Sequence, residues 1–139
     1  MRHDLGPEDV RTMLDRPLLA VLATRWPSDD VLLSPVWHEW RDGGFTVFTD
    51  SDDVKVRHLR RDPRASIVVC DHEPPYRGIE IRATARVLVN GDTGTMQRIA
   101  ARYLGDEAAR TWADPSAALI RLEPGRLRVW DFADEYPAP

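Results

Sequence analysis

The strands that this sequence encodes follow one another too closely for helices to lie between most of them. Short turn sequences join them, among them Pro27-Ser28-Asp29-Asp30, Asp42-Gly43-Gly44 and Glu123-Pro124-Gly125. Gly, Pro, Asn, Asp and Ser favour such turns because of the backbone conformations that they adopt. Parallel neighbours would need a crossover of about a dozen residues or more. The pattern therefore predicts a mainly β fold with antiparallel neighbours and disfavours a doubly wound parallel sheet.

Hydrophobic patterning predicts seven strands and four helical segments. Ile79–Val89 alternates apolar and polar residues throughout, which is typical of one long half-buried strand. Pro35 lies inside the second strand and cannot donate to a ladder, so a bulge or an unpaired edge is expected there. The predicted strands are Leu18–Thr24, Val31–Trp40, Phe45–Thr49, Ala65–Cys70, Ile79–Val89, Ala118–Leu122 and Arg126–Phe132, and the predicted helices are Glu8–Asp15, Val54–Arg61, Thr93–Leu104 and Glu107–Trp112. Seven strands with short connections favour a closed antiparallel barrel, plugged or flanked by the helices.

Composition narrows the classes of protein. The 139 residues predict a single domain over 1–139, and a net charge of −4 argues against a nucleic-acid partner. Cys70 is the only cysteine and the histidines are widely spaced, so neither a disulfide framework nor a metal site is predicted. The longest apolar run, Leu18 to Ala23, is far shorter than a bilayer span, and the first residues lack the apolar stretch of a signal peptide. These features predict a cytoplasmic protein without a membrane partner.

Lys55 is the only lysine among nineteen cationic residues, and it stands at the predicted start of a helix. Thr49 and Ser51 precede it and Arg57 follows, so two hydroxyl groups and two cations meet the unpaired N–H groups of a helix N-terminus. Such a set can hold a phosphate. A solvated basic helix capped by the neighbouring aspartates is the simpler explanation from spacing alone, and both interpretations stay open at this point.

The segment Leu33-Ser34-Pro35-Val36-Trp37 is the second candidate. A strand interrupted by proline can turn free backbone groups towards a ligand, and a flat heterocycle needs such groups at its edge together with apolar walls. An ordinary edge strand explains the same residues.

Five segments together resemble a known family: LAVLAT, LLSPVW, VFTDSDDVKVRHLRRDPRAS, EPPYRGIEIRATARV and RLRVWDF. They are similar to the pyridoxamine-5′-phosphate-oxidase-like proteins, which are flavin and deazaflavin oxidoreductases, and specifically to the branch that depends on coenzyme F420. The resemblance extends from about Leu18 to Phe132. It implies an FMN-binding split β-barrel, antiparallel and Greek-key-like, that forms a homodimer with cofactor sites at the subunit interface.

The resemblance also implies roles for individual residues. The cofactor phosphate would contact Thr49, Ser51, Lys55 and Arg57, and the ring would lie along Ser34, Pro35, Val36 and Trp37. Tyr76 and Gly78 match family positions near the ring and its tail. One departure is Asp53, since some relatives carry a cation two residues before the lysine. No residue is assigned a catalytic role, and a surface position is favoured for His38.

The function that follows from the resemblance is hydride transfer from reduced F420 to a small unsaturated, quinone-like or tetrapyrrole-like substrate. Two alternatives remain. One is an FMN-dependent oxidase or reductase of the same fold. The other is a non-catalytic protein that binds a flavin or a tetrapyrrole.

Overall fold

The computed structural model describes residues 1–2, 4–89, 92–112 and 114–136. A 3₁₀ turn over Pro7–Val10 leads into the first helix, and Pro7 stands at the turn's first position, where its missing N–H costs nothing. The helices are α1 (Arg11–Leu14), α2 (Val54–Arg61), α3 (Thr93–Leu104) and α4 (Asp106–Arg110). The strands are β1 (Ala20–Arg25), β2 (Val31–Val36), β3 (Glu39–Arg41), β4 (Gly44–Asp50), β5 (Arg64–Cys70), β6 (Gly78–Thr84), β7 (Arg86–Val89), β8 (Ala117–Leu122) and β9 (Arg126–Trp130).

The strands form two antiparallel sheets. One has the order β2-β1-β5-β6-β9, and the other has the order β3-β4-β8-β7. This confirms a mainly β, antiparallel fold with flanking helices. The predicted closure is wrong for the described residues, because their hydrogen bonds form two separate sheets and not one continuous barrel.

Two predicted strands are each divided between the sheets. Val31–Trp40 is in fact β2 and β3, and the chain turns between Val36 and Glu39, beyond Pro35. Pro35 lies within β2, which is an edge strand. Of the two expectations for Pro35, a bulge or an unpaired edge, the edge is the one observed. Ile79–Val89 is in fact β6 and β7, which belong to different sheets. Apolar and polar residues keep alternating through the bend, so the sequence pattern could not show that the chain changes its partner strand there.

A backbone hydrogen bond joins the second of these bends to the residues that follow α2. Ala85 stands between β6 and β7, and its N–H donates to the carbonyl of Pro63 at 2.8 Å. This bond satisfies a buried backbone group where the ladder is interrupted. Pro63 follows α2, so the end of that helix and the bend between the sheets are joined directly.

The inner faces of the two sheets share one hydrophobic core. The five-stranded sheet contributes Leu22, Ile67 and Ile79, and the four-stranded sheet contributes Phe45 and Ile120, all with less than 2% of their surface exposed. Each such side chain contributes about 1.5–3 kcal/mol by leaving water. Within the described residues, no helix is both long enough and apolar enough to cross a bilayer.

His38 lies in this core, so the surface position expected for it is wrong. Its side chain is fully buried, 5.3 Å from the ring of Phe45 between ring centroids. Neither ring nitrogen makes a hydrogen bond of normal geometry within the described chain. Burial lowers the pKa of His38 to about 3, the charge of Arg102 lowers it too, and the carbonyl of Leu18 offsets part of the effect.

We expect the free energy of unfolding to depend on His38 in mild acid. An unfolded histidine gains its proton near pH 6.5, whereas folded His38 gains it near pH 3. The unfolded state therefore binds more protons between these values, and stability falls as the pH is lowered through this window. His38→Leu should remove up to about 1.4 kcal/mol per pH unit of that slope. Urea unfolding at several pH values measures it, and parallel curves for the two proteins would contradict the assignment.

Candidate functional site

Helix α2 begins at the point where the predicted phosphate ligands meet. Asp53 caps the helix, and its Oδ1 accepts from the backbone N–H of Lys55 at 3.1 Å. Asp is favoured at this position because its carboxylate satisfies an N–H that the first turn leaves unpaired. Val56 and Leu59 are buried and hold the helix to the core. The N-terminal turn is thereby fixed at the end of β4.

Thr49 and Lys55 are brought into direct contact. Lys55 Nζ donates to Thr49 Oγ1 at 3.4 Å and forms an ion pair with Asp53 Oδ1 at 2.9 Å. The lysine side chain has only 12% of its surface exposed. The ammonium group is therefore held at the base of the helix and does not extend into solvent.

Ser51 and Arg57 lie on either side of this contact. The N–H of Ser51 donates to the carbonyl of Ser116 at 2.8 Å, which ties the loop to the residue before β8. Arg57 is exposed, and its Nη1 donates to the carbonyl of Asp52 at 3.0 Å. The four predicted phosphate ligands thus occupy the end of β4, the loop after it and the first turn of α2.

The ring segment does not present a single surface. Ser34 and Val36 share the inner face of β2, opposite Leu22 and Ala20 on β1. Pro35 is exposed on the other face. Trp37 follows the strand and belongs to neither ladder. Of this segment, Trp37 is the residue whose ring contacts other elements of the fold.

Trp37 belongs to an aromatic cluster that includes Phe48 of β4. Its ring lies 6.1 Å from that of Phe48, the residue before Thr49, and 5.8 Å from that of Trp112. The ring of Tyr103 stacks on Trp37 with centroids 4.9 Å apart and planes 5° apart. Offset stacked pairs of this kind stabilise by about 0.5–1.5 kcal/mol beyond their area. Phe48 and Thr49 are successive residues of β4, so their side chains leave opposite faces of the strand, and the cluster is next to Thr49 in the chain but on the other face of β4.

Tyr103 also forms hydrogen bonds that stabilise the bend between β2 and β3. Its hydroxyl donates to the carbonyl of Leu18 at 2.8 Å and accepts from the N–H of His38 at 3.0 Å. Burial raises the pKa of Tyr103, while the backbone of His38 and the side chain of Arg102 lower it in part. Sequence reasoning missed Tyr103, Phe48 and Trp112 as neighbours of Trp37, because they belong to other elements and Tyr103 and Trp112 are far from Trp37 in the chain. Only the aromatic character of these residues could have indicated that they gather around Trp37.

Tyr76 and Gly78 lie apart from these groups in the single chain. Gly78 opens β6 at the end of the sheet where β2 stops, three strands away, or roughly 14 Å. A Cβ at Gly78 would collide with the ring of Trp130, which explains why glycine is needed. Tyr76 is exposed, with φ at 54°, and its ring packs against that of Tyr136. No hydrogen bond or ring contact in the described chain joins Tyr76 or Gly78 to Lys55.

The donors at the start of α2 fit an anionic group. A hydroxyl, a backbone N–H and an ammonium group converge there, and at present they surround the carboxylate of Asp53. A phosphate or carboxylate of a ligand is the chemistry that such a set recognises. The aromatic surface of Trp37 is of the kind that suits a flat ring.

Comparison with known proteins identifies the family. The sequence model described as pyridoxamine 5′-phosphate oxidase matches residues 7–131. The chain belongs to the pyridoxamine 5′-phosphate oxidase family. The resemblance drawn from the sequence is confirmed, and the two sheets are the split barrel of this family. A search of the curated proteins found no match.

Solved structures share the fold of this pyridoxamine 5′-phosphate oxidase family member. A conserved hypothetical protein from Mycobacterium tuberculosis is similar with a TM-score of 0.80 and 21% identity, over 99% of this chain and 92% of its own. An F420 reductase has a TM-score of 0.73 and 22% identity, over 88% of this chain and 98% of its own. A FAD-binding protein from Mesorhizobium loti has a TM-score of 0.65 and 16% identity, over 90% and 92%.

We expect the hydroxyl of Tyr103 to stabilise the bend that carries Trp37. Tyr103→Phe keeps the stacked ring but leaves the N–H of His38 without its partner, which should lower the free energy of unfolding by about 1–3 kcal/mol. Tyr136→Phe is the control, since its ring is exposed near the C-terminus and should change stability by less than about 0.5 kcal/mol. Chemical denaturation measures both. Equal effects of the two substitutions would show that the hydroxyl bridge contributes nothing.

Proposed function

We propose that this chain is an F420-dependent reductase that acts on a small unsaturated, quinone-like or tetrapyrrole-like substrate. The observation that carries the proposal is the convergence of the Thr49 hydroxyl with the backbone N–H and ammonium group of Lys55 at the start of α2, which forms an anion site. Membership of the family and the fold shared with an F420 reductase support it. Both F420 and FMN join a tricyclic ring to a phosphate, so the anion site suits either.

The residues of this chain would bind and orient the cofactor. Lys55 and Thr49 would hold the phosphate, with Ser51 and Arg57 at its sides, and Trp37 would contact the ring. Tyr103 and Phe48 fix the plane of Trp37 and so the direction in which a ring can lie. Reduced F420, when bound, supplies a hydride to an electron-poor double bond.

A proton must complete such a reduction, and we assign it to water. Tyr76 is the side-chain candidate for the alternative, because its ring is exposed in the loop before β6. No side-chain nucleophile is needed, since the reaction forms no bond between substrate and protein. The chain's contribution is therefore binding, orientation and restriction of water.

We also propose that the protein is a homodimer that pairs through the outer face of the five-stranded sheet. Val31 and Leu33 point outward from β2 with 53% and 64% of their surface exposed. Pro35 extends the row, and the register places Val21 and Ala23 of β1 on the same face. A contiguous apolar patch of this kind marks an interaction surface. We propose that a second copy of the chain covers this face, because the family resemblance places the cofactor sites between subunits. Dimerisation would then complete a site from which Tyr76 and Gly78 are distant within one chain.

We expect the purified protein to bind F420 more tightly than FMN, and Lys55→Ala to weaken that binding by about 10- to 100-fold. Loss of a hydrogen bond to a charged group costs about 1.5–3 kcal/mol, which sets this range. The control is Arg41→Ala, which removes the same charge from the last residue of β3, paired with Gly44 at the other end of β4. Fluorescence titration of each protein with both cofactors measures the dissociation constants.

The outcomes separate the candidate functions. Tighter binding of FMN would favour an FMN-dependent oxidase or reductase. Tight binding without reduction of any electron-poor substrate would favour a carrier of a flavin or a tetrapyrrole. If neither cofactor bound, the proposal would be wrong while the fold assignment stood.

We expect Leu33→Lys to convert the dimer to a monomer, because it places a charge in the centre of the apolar face. Leu104→Lys is the matched control, since Leu104 is an exposed leucine on α3, outside that face. Sedimentation velocity at micromolar concentration measures the oligomeric state. A wild-type monomer, or a dimer that persists in Leu33→Lys, would contradict the proposed interface.

A further inference from the structure

Asp53 occupies the donors of Thr49 and Lys55 at the start of α2. Its Oδ1 accepts from the backbone N–H of Lys55 at 3.1 Å and from Lys55 Nζ at 2.9 Å. Its Oδ2 accepts from the hydroxyl of Thr49 at 3.3 Å. One carboxylate thus engages two of the four residues that the family resemblance assigns to the cofactor phosphate.

This carboxylate is charged under ordinary conditions. Burial alone would raise the pKa of Asp53, but the hydrogen bonds and charge of Lys55, together with the hydroxyl of Thr49, outweigh it and lower the pKa below its usual value. The carboxylate has 30% of its surface exposed, so it is partly shielded from solvent screening. A phosphate that approached Lys55 would meet a like charge already in contact with the ammonium group.

The donors cannot fully serve both anions. A backbone N–H carries one hydrogen and a threonine hydroxyl carries one, so each can donate to only one strong acceptor. Lysine has three N–H groups and could bridge two anions, but at that distance their mutual repulsion opposes binding. A phosphate therefore binds here only when the Asp53 side chain gives up its contacts with Thr49 and Lys55.

We infer that Asp53 is an internal anion that competes with the cofactor phosphate for Thr49 and Lys55 and thereby lowers the affinity of the site for phosphate-bearing rings. The inference rests on the proposed function and deepens it, because it names the residue that sets how much of the binding free energy the phosphate contributes. Ring contacts at Trp37 then carry a larger share of the binding.

The substitution that tests this is Asp53→Asn, because asparagine caps a helix as well as aspartate but carries no charge. Asp53→Ser is a second variant that also caps and leaves more room. The control is Asp52→Asn, which removes the same charge one residue away. Asp52 is exposed, and only its backbone carbonyl takes part in the described contacts. An effect of net charge alone would appear equally in Asp52→Asn and Asp53→Asn.

Titration with FMN and with riboflavin isolates the phosphate, because the two ligands differ only in that group. We expect Asp53→Asn and Asp53→Ser to bind FMN and F420 at least about tenfold more tightly than wild type, with riboflavin unchanged and Asp52→Asn close to wild type. Where wild type binds FMN, equal gains in Asp52→Asn and Asp53→Asn, or no gain for FMN in Asp53→Asn, would overturn the inference.

Inorganic pyrophosphate, followed by calorimetry, separates this inference from the proposed function. If no protein bound F420 or FMN, the proposed function would fail, and the inference would still stand if Asp53→Asn bound pyrophosphate more tightly than Asp52→Asn. If these two variants bound pyrophosphate equally or not at all, the inference would be overturned, whatever the cofactors showed.

Discussion

The passage of the chain from one sheet to the other between Val36 and Glu39 is the constraint on which the candidate site depends. Two strands of different sheets must join there, and the backbone groups of the bend have no ladder to pair with. The hydroxyl of Tyr103 supplies the missing contacts by bridging Leu18 and His38. A backbone N–H buried without a partner costs free energy comparable to a lost hydrogen bond, so this single hydroxyl has a large local effect. The position of Trp37 follows from it.

Helix α2 is another connection between the sheets, and it carries the polar half of the site. The helix follows β4 of one sheet and precedes β5 of the other. Its buried side carries Val56 and Leu59, so its orientation is determined by the core. The helix start, with Lys55 and Asp53, is then held beside Thr49 near the end of β4. A functional site at this position needs no added loop, because it is assembled where the fold itself crosses between layers.

The strength of this arrangement as a binding site depends on a balance of charges and not on their number. Lys55 is a shielded cation, but its partner Asp53 is in contact with it already. An ion pair of this kind stabilises the start of the helix through the cap and the contact with Thr49. The same contacts oppose the entry of a second anion. Stability of the helix and affinity for a phosphate are therefore in conflict at one residue.

Local patterns in the sequence determined most elements and the family. Turn residues, alternation and the strings around Lys55 predicted the antiparallel class, helix α2 and the contact region of Thr49 and Lys55, since each depends on residues close together in the chain. The tertiary structure alone decided the division of Val31–Trp40 and Ile79–Val89 between sheets, the burial of His38 and the gathering of Tyr103 and Trp112 around Trp37. The physical reason is that alternation records only which face of a strand is buried. Which partner covers that face, and which distant side chain satisfies a buried N–H, depends on contacts between segments that are far apart in sequence.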